Sequence, residues 1–244
     1  MLFRSAPLEL TPSESWGSEM LVPAHADIVI EAEMSTSEYE IEAPFGEYTQ
    51  YYCGQRLNPT TKVTAITRRK DAFYLDVMPG HADHLLLDAP MIEAYLYNRI
   101  KAVVPGVIAV HMPVSGTARL HAYVQVKKLN DGEPKTVIAT ALSSDYRLKH
   151  VIVVDEDVNV FDDEHVLWAV ATRSQWDKDV MVVPGMMGTR LDPSANDIIT
   201  TKGGIDATKP VDAHSFPQRI TTPKSVTSRI KLEDYLAPDV LRHF

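Results

Sequence analysis

The chain has 244 residues, 45% of them hydrophobic and 23% charged, which are globular values and exclude global disorder. Its 24 Lys and Arg stand against 33 Asp and Glu, a formal charge of −9, so neutralising phosphate backbones is excluded as its main work. One cysteine, Cys53, excludes an internal disulfide framework and any multi-cysteine metal site built by one copy; such usage suits a reducing cytoplasm.

Residues 1–20 carry Arg4 with Glu9, Glu14 and Glu19 and no apolar core segment, matching neither a secretory signal nor a basic transit peptide. No apolar run approaches a membrane span, and 151–154 and 180–183 are strand-sized. From Leu21 to about Val77 the pattern predicts antiparallel strands at 26–33, 62–67 and 72–77, separated by turn signals at Pro44, Gly46, Gly54, Asn58-Pro59 and Pro79-Gly80. That spacing suits part of a barrel.

The period then changes. Between Asp88 and Val104, Ile92, Leu96, Ile100 and Val103 fall on one helical face, with Asp88 at the N-cap, Pro90 in the first turn and Pro105-Gly106 as the stop. Strands follow at 107–111 and 120–127, the second with Leu120, Ala122, Val124 and Val126 on one face, then a helix at 135–142. His150 to Val154 reads as a buried strand, 162–172 as a helix with acids in its first turn, and Asp179 to Val183 as the next parallel strand of a right-handed crossover unit. The fold class expected is α/β (α+β overall): a β-rich piece over 1–87, then an α/β piece over 88–212 with a mainly parallel sheet. After Val211 the periodicity fades through Pro217 and Pro223 to a helical signal at 232–236, so 213–244 is expected to be a tail that packs on another element or subunit.

Three features bear on chemistry. In Glu42-Ala-Pro-Phe-Gly-Glu47, Pro44 fixes its own φ and Gly46 can take a positive one, so the chain can turn and aim two carboxylates at one point. Two acids held together do not ionise alike, which is how one becomes a proton donor; an acidic surface turn between strands has the same composition. Asp155, Asp157 and Asn159 have the opening spacing of a calcium loop, but Val160 stands where Gly is needed and Val166 where the bidentate Glu is needed. Those acids either bind a cation at the end of a parallel strand or form a solvated loop that caps the next helix. The nine histidines form no HExxH, and the glycines near 185–188 and 203–204 lack the dinucleotide and P-loop patterns.

Read in order, Val22 to Glu31, Glu42 to Glu47, Val63 to Arg69, Val151 to Asn159, Leu167 to Arg173 and Gly204 to Pro210 resemble the UbiD-type decarboxylases over roughly Leu8 to Pro210. The resemblance implies reversible removal of CO₂ from aromatic or α,β-unsaturated acids through prenylated FMN, with a divalent metal, usually manganese, and potassium at the cofactor phosphate. It implies a split β-barrel carrying the cofactor, followed by a C-terminal α/β domain that supports oligomerisation. The family motif places Glu42 and Glu47 in the catalytic group, Glu47 as proton donor and Glu42 holding an arginine; Ala43 replaces the usual Gly. Lys149 matches a lysine that can reach the cofactor phosphate, with an exposed salt bridge as its alternative. The family's arginine and its metal-holding Asn, His and Glu correspond to sequence before Met1, so this chain is expected to hold half a site and to need a companion chain or a homo-oligomer. The alternative is a non-catalytic assembly or regulatory subunit, or an inactive fragment.

Overall fold

Two antiparallel pairs open the chain, β1 (Leu10–Ser13) with β2 (Gly17–Pro23) and β3 (Ile28–Glu42) with β4 (Arg56–Arg68). The protein is described here by a computed structural model covering residues 8–212 and 216–237; residues 1–7 and part of the tail, 213–215 and 238–244, lie outside the described residues. The predicted strands at 26–33 and 62–67 are present and longer, because the alternation of side chains continues through Glu33 to Glu42 and back from Arg56. No closed barrel forms among the described residues: each pair is a two-stranded ribbon.

The β3–β4 ribbon is two-faced. Glu31 points to the side covered by the β1–β2 turn, where Ser13 donates to Glu31 Oε2 at 2.6 Å and the Glu14 and Ser15 amides donate at 3.0 and 2.8 Å. The alternate residues Ile30 and Met34, with Val63 and Ile66 across the ladder, are exposed. The strand expected at 72–77 does not form, and Phe73, Tyr74 and Leu75 are exposed. A β-prone run becomes a strand only where a partner edge takes its hydrogen bonds; the Val77 amide donates instead to the neighbouring Asp76 carboxylate at 2.9 Å.

After the short α1 (Ala82–Leu86), α2 (Ala89–Lys101) carries Pro in its first turn and buries Ile92, Leu96 and Ile100. Val103, expected on that face, is exposed and Val104 is buried, because the helix has ended at Lys101 and the chain has turned. Asp88 makes no side-chain cap; its carboxylate pairs with Arg119 at 3.2 Å.

Strands β5 (Val107–His111), β6 (His121–Val126), β7 (His150–Asp155), β8 (Val180–Met187) and β9 (Ile199–Ala207) form one sheet in the order β5-β6-β7-β9-β8. The centre, β6-β7-β9, is parallel; both edge strands are antiparallel to their neighbours. Helices α2 and α3 (Glu133–Ser144) pack on one face with Val124, Val126, Val151 and Val153, and α4 (Asp163–Arg173) covers the other over Tyr123, Ile152 and Val154. Asp162 caps α4 by accepting from the Glu164 and His165 amides.

The segment after α4 corrects one expectation. Val180–Met187 is not the next parallel strand but an antiparallel edge, and β9 is the parallel partner of β7. The reason is the direction of α4. It enters beside the amino end of β6, where the Phe161 ring lies 4.9 Å from that of His111, the register partner of Tyr123. It leaves beside the carboxyl end of β7, where Arg173 meets Asp155 at 2.6 Å. A helix running with the strands delivers the chain to the far end of the sheet, so the next strand must return antiparallel. β9 itself tolerates glycine because of close packing: a Cβ on Gly204 would lie 2.6 Å from Ile138 of α3.

The described residues after Thr208 belong to a second unit, within which α5 (Lys224–Thr227) and a 3₁₀ turn at Leu232–Asp234 are helical. Among the described residues no helix is long and apolar enough to cross a membrane.

Candidate active site

Glu42 is the last residue of β3, opposite Arg56, and its carboxylate accepts from Asn58 Nδ2. With Glu38, Glu40 and Lys62 it lines an open groove of about 640 Å³ along the ribbon. The chain then leaves the ladder and closes a small loop. Gly46 bridges to Tyr52, the Glu47 amide donates to Tyr51 O at 3.0 Å, the Gln50 amide to Glu47 O at 2.9 Å, and the Cys53 amide to Phe45 O at 2.8 Å. Glu47 stands in this loop and lines a second concavity of about 500 Å³ with Tyr51, Tyr52, Met78, Pro79 and His81. The two acids expected to aim at one point therefore line different concavities, because Asn58 holds Glu42 on the ribbon.

The loop is fixed from below. Tyr48, beside Glu47, is buried in a small core with Leu85, Ala89 and Ala118, and burial pushes its hydroxyl pKa up. Gln50 adopts a left-handed backbone (φ 64°) and its side-chain amide donates to Gly80 O at 3.3 Å. Gly80 is itself at φ 73°, and a Cβ there would lie 2.6 Å from the Gln50 side chain. On the far wall, His81 Nδ1 lies 2.8 Å from Asp83, a contact that holds the Asp83 carboxyl below its usual range.

Lys149 is at the amino end of β7. Its ammonium donates to Asp192 Oδ2 at 2.7 Å and to Ser194. Burial works against the Asp192 charge, yet the hydrogen bonds from Lys149 and Ser194 keep its carboxyl below the usual range. The acids after β7 also have a resident cation: Arg173, with only 2% of its side chain exposed, reaches Asp155 at 2.6 Å and Asp157 at 2.8 and 2.9 Å, and lies 5.0 Å over the Trp168 ring. That loop is an internal ion-pair network that also caps α4. Among the described residues no group of three His, Cys, Asp or Glu is arranged to hold a metal ion.

Sequence reasoning missed Tyr48, Gln50 and Arg119 as supports of the Glu47 loop. Arg173 lies inside the Leu167 to Arg173 motif and could have been paired with the acids it neutralises; Arg119 carries no local signal, since apart from the adjacent Ala118 carbonyl its partners Asp88, Leu85 and Tyr48 are 31 to 71 positions away.

Comparisons with known proteins agree with this architecture. Residues 2–82 match the family model described as the UbiD 3-octaprenyl-4-hydroxybenzoate carboxy-lyase Rift-related domain, and residues 85–207 match the model for the C-terminal domain. The anhydromevalonate phosphate decarboxylase of Methanothermobacter thermautotrophicus is 39% identical over 220 residues, 90% of this chain and 51% of that protein. The UbiD-class enzyme HmfF of Pelotomaculum thermopropionicum, solved in complex with FMN, superposes with a TM-score of 0.87 at 42% identity, covering 94% of this chain and 51% of that one. An evolved dimeric form of HmfF in complex with prFMN gives 0.80 at 39% identity, covering 94% and 49%. This chain thus spans about half the length of the relatives it matches.

Proposed function

The chain belongs to the UbiD family of carboxy-lyases, and from that premise we propose that it is the acid-bearing part of an enzyme that exchanges CO₂ with an aromatic or α,β-unsaturated carboxylic acid, Glu47 handling the proton. The observation that carries this reading is the Glu47 loop, which is closed by backbone hydrogen bonds and presents a carboxyl to a concavity walled by Tyr51, Tyr52 and Met78. When the C–C bond to the carboxylate breaks, its electron pair stays on the substrate carbon; that carbon takes a proton from the Glu47 carboxyl, which regains one from water. An immobile backbone is what such a transfer requires, since donor and carbon must meet at hydrogen-bond range. Glu42, in the groove beside the loop, has an ionic and shaping role.

The cofactor reading is prenylated FMN, on the family's behaviour and on the bound groups named for the solved relatives. The aromatic and apolar wall around Glu47 fits the ring portion of such a group, with Tyr51, Tyr52 and Met78 as its contacts; when bound, it supplies the electron sink for decarboxylation. Lys149 is the candidate for the phosphate, although Asp192 now holds its charge. Manganese and potassium belong to the family inference alone; the described residues do not fit a metal site, and no step is assigned to one. The working division is 1–87 as the flavin-side part, 88–212 as the α/β part and 213–244 as a docking tail, in a cytoplasmic enzyme.

A companion is part of the proposal. The exposed Ile30, Met34, Val63 and Ile66 face of the β3–β4 ribbon, with both ribbon edges unpaired among the described residues, needs cover from another segment or copy. The test is co-expression with a chain carrying the complementary half and with a flavin prenyltransferase. The expected result is a flavin spectrum on the copurified complex and CO₂ release from cinnamic- or hydroxybenzoic-type acids. A complex that forms, binds cofactor and turns over none of a broad acid panel would instead favour a non-catalytic assembly subunit.

A further inference from the structure

Four non-glycine residues have left-handed backbone among the described residues, and three of them bear on Tyr48: Gln50 (φ 64°) is two positions along the same loop, and Ala118 (φ 53°), next to Thr117 (φ 59°), packs in the small core that buries Tyr48. Such conformations are unfavourable for residues with a Cβ and persist where the surroundings over-determine them. Thr117 and Ala118 form the tight turn after the 3₁₀ segment Val114–Gly116, with the Ala118 amide donating to Pro113 O at 2.8 Å. The turn aims the next residue, Arg119, inward.

Arg119 has 5% of its side chain exposed. One Nη donates to Leu85 O at 3.0 Å and to Ala118 O at 3.3 Å, the other pairs with Asp88 at 3.2 Å, and the guanidinium carbon lies 5.3 Å from the centre of the Tyr48 ring. Its partner Asp88 is itself 44% exposed. An arginine buried against a half-solvated carboxylate is a poor device for stability alone, since an apolar side chain of the same volume carries no desolvation cost. What an apolar residue lacks is the combination of in-plane donors and a cationic face that grips an aromatic ring, which lysine also lacks.

We propose that Arg119 is a positioning residue for Glu47, acting through the Tyr48 ring: it clamps the residue next to the acid onto α1, α2 and the turn before β6. The inference rests on the proposed role of Glu47. Tyr48 is one residue from Glu47, so adjacent Cα atoms about 3.8 Å apart transmit any shift of the ring. Gln50, locked against Gly80, pins the other end of the same loop. The acid is thereby held by the body of the α/β part and not by the ribbon on which its sequence neighbour Glu42 sits.

Hydrogen exchange on the chain as it stands reads the clamp without catalysis. In Arg119→Met the amides of Glu47, Gln50 and Cys53, which close the loop, should exchange about tenfold faster or more while β7 is unchanged. Arg119→Lys should fall between. In the reconstituted enzyme Arg119→Met should lower kcat by about 10²-fold with KM nearly unchanged, the mark of a misplaced group and not of lost substrate binding. Tyr48→Leu keeps an apolar plug and should reproduce both effects, which decides the matter even where Arg119→Met folds poorly. Unchanged exchange at the three amides overturns the inference, as does faster exchange with normal kcat. Failure of the underlying reading shows separately, as normal turnover by Glu47→Gln.

Discussion

Arg173 Nη1 lies 2.6 Å from Asp155 Oδ2 and 2.8 Å from Asp157 Oδ1, joining the last turn of α4 to the carboxyl end of β7. This one guanidinium converts an acidic strand end with cation-binding spacing into a closed structural network. Removing it leaves a buried carboxylate without its counter-charge. Arg173→Met should therefore cost about 3 kcal/mol or more in chemical denaturation, and millimolar calcium or manganese should leave the wild-type melting temperature unchanged. A metal-dependent rise in melting temperature that vanishes in Asp157→Asn would assign the loop to a cation after all.

The two acidic regions should separate cleanly in the reconstituted enzyme. Glu47→Gln preserves shape and hydrogen bonding but cannot deliver a proton, so turnover should fall by about 10²–10⁴-fold with folding and cofactor uptake intact. Asp157→Asn should lower stability and leave turnover per folded molecule close to normal. Deuterium incorporation into product from heavy water checks the proton's route. The reverse ranking of the two variants would move the site to the end of the parallel sheet.

Acid should unfold the chain in two stages. Burial, with the neighbouring His150 and Lys149 outweighing Asp163, pushes His121 down to about 4 from its ordinary 6.5. The unfolded chain then takes up the proton first, so the contribution is complete above pH 6.5 and declines as pH falls toward 4, by about 3 kcal/mol at most. Glu31 is held near 2, chiefly by the Ser13 hydroxyl and against its burial, with the Ser15 and Glu14 amides adding to the hold. Its contribution is present above about 4.5 and is lost between 4.5 and 2. Stability measured against pH should lose its upper limb in His121→Gln and its lower limb in Glu31→Gln.

Lys202 in β9 is 1% exposed, and its ammonium donates to the carbonyls of Leu142, Asp145 and Tyr146 at 3.0 to 3.3 Å, closing the carboxyl end of α3. Lys202→Met fills the space but leaves those carbonyls without their donor, so we expect a loss of about 2–4 kcal/mol with α3 amides exchanging first. A variant as stable as wild type would show that water replaces the ammonium.

The bare β3–β4 face should make the isolated chain self-associate or bind its companion. Light scattering after size exclusion should give a mass above one 27.2 kDa chain, and Ile30→Lys with Ile66→Glu should restore a monomer. A wild-type monomer at every concentration would argue against the companion.

Much of the architecture is local and was legible. Ile92, Leu96 and Ile100 announced α2, the acid-rich first turn and Asp162 announced α4, and the run from Val151 to Val154 announced the central strand, because a period of 3.6 or a continuous apolar run is written in neighbouring residues. The family resemblance reached the carboxylate turn for a similar reason: Glu42 to Glu47 is a short contiguous motif. The run Ala72 to Val77 misled because strand propensity carries no information about whether a partner edge exists. β8 misled because the direction of a helix relative to its sheet is set by where the preceding loop lands.

By itself, then, the sequence determined the three longer helices α2, α3 and α4 and the strands β5, β6 and β7, that Ala122, Val124 and Val126 share a face, and that two acids flank a proline–glycine turn. Only the tertiary structure decided which cation answers which acid: Arg173 for Asp155, Lys149 for Asp192, Arg119 for Asp88 and the Tyr48 ring. It also decided that Glu42 and Glu47 face different concavities. Charge pairing falls off within a few ångströms and has no preferred spacing along the chain, so it is fixed only when the sheet order and helix directions bring distant residues together.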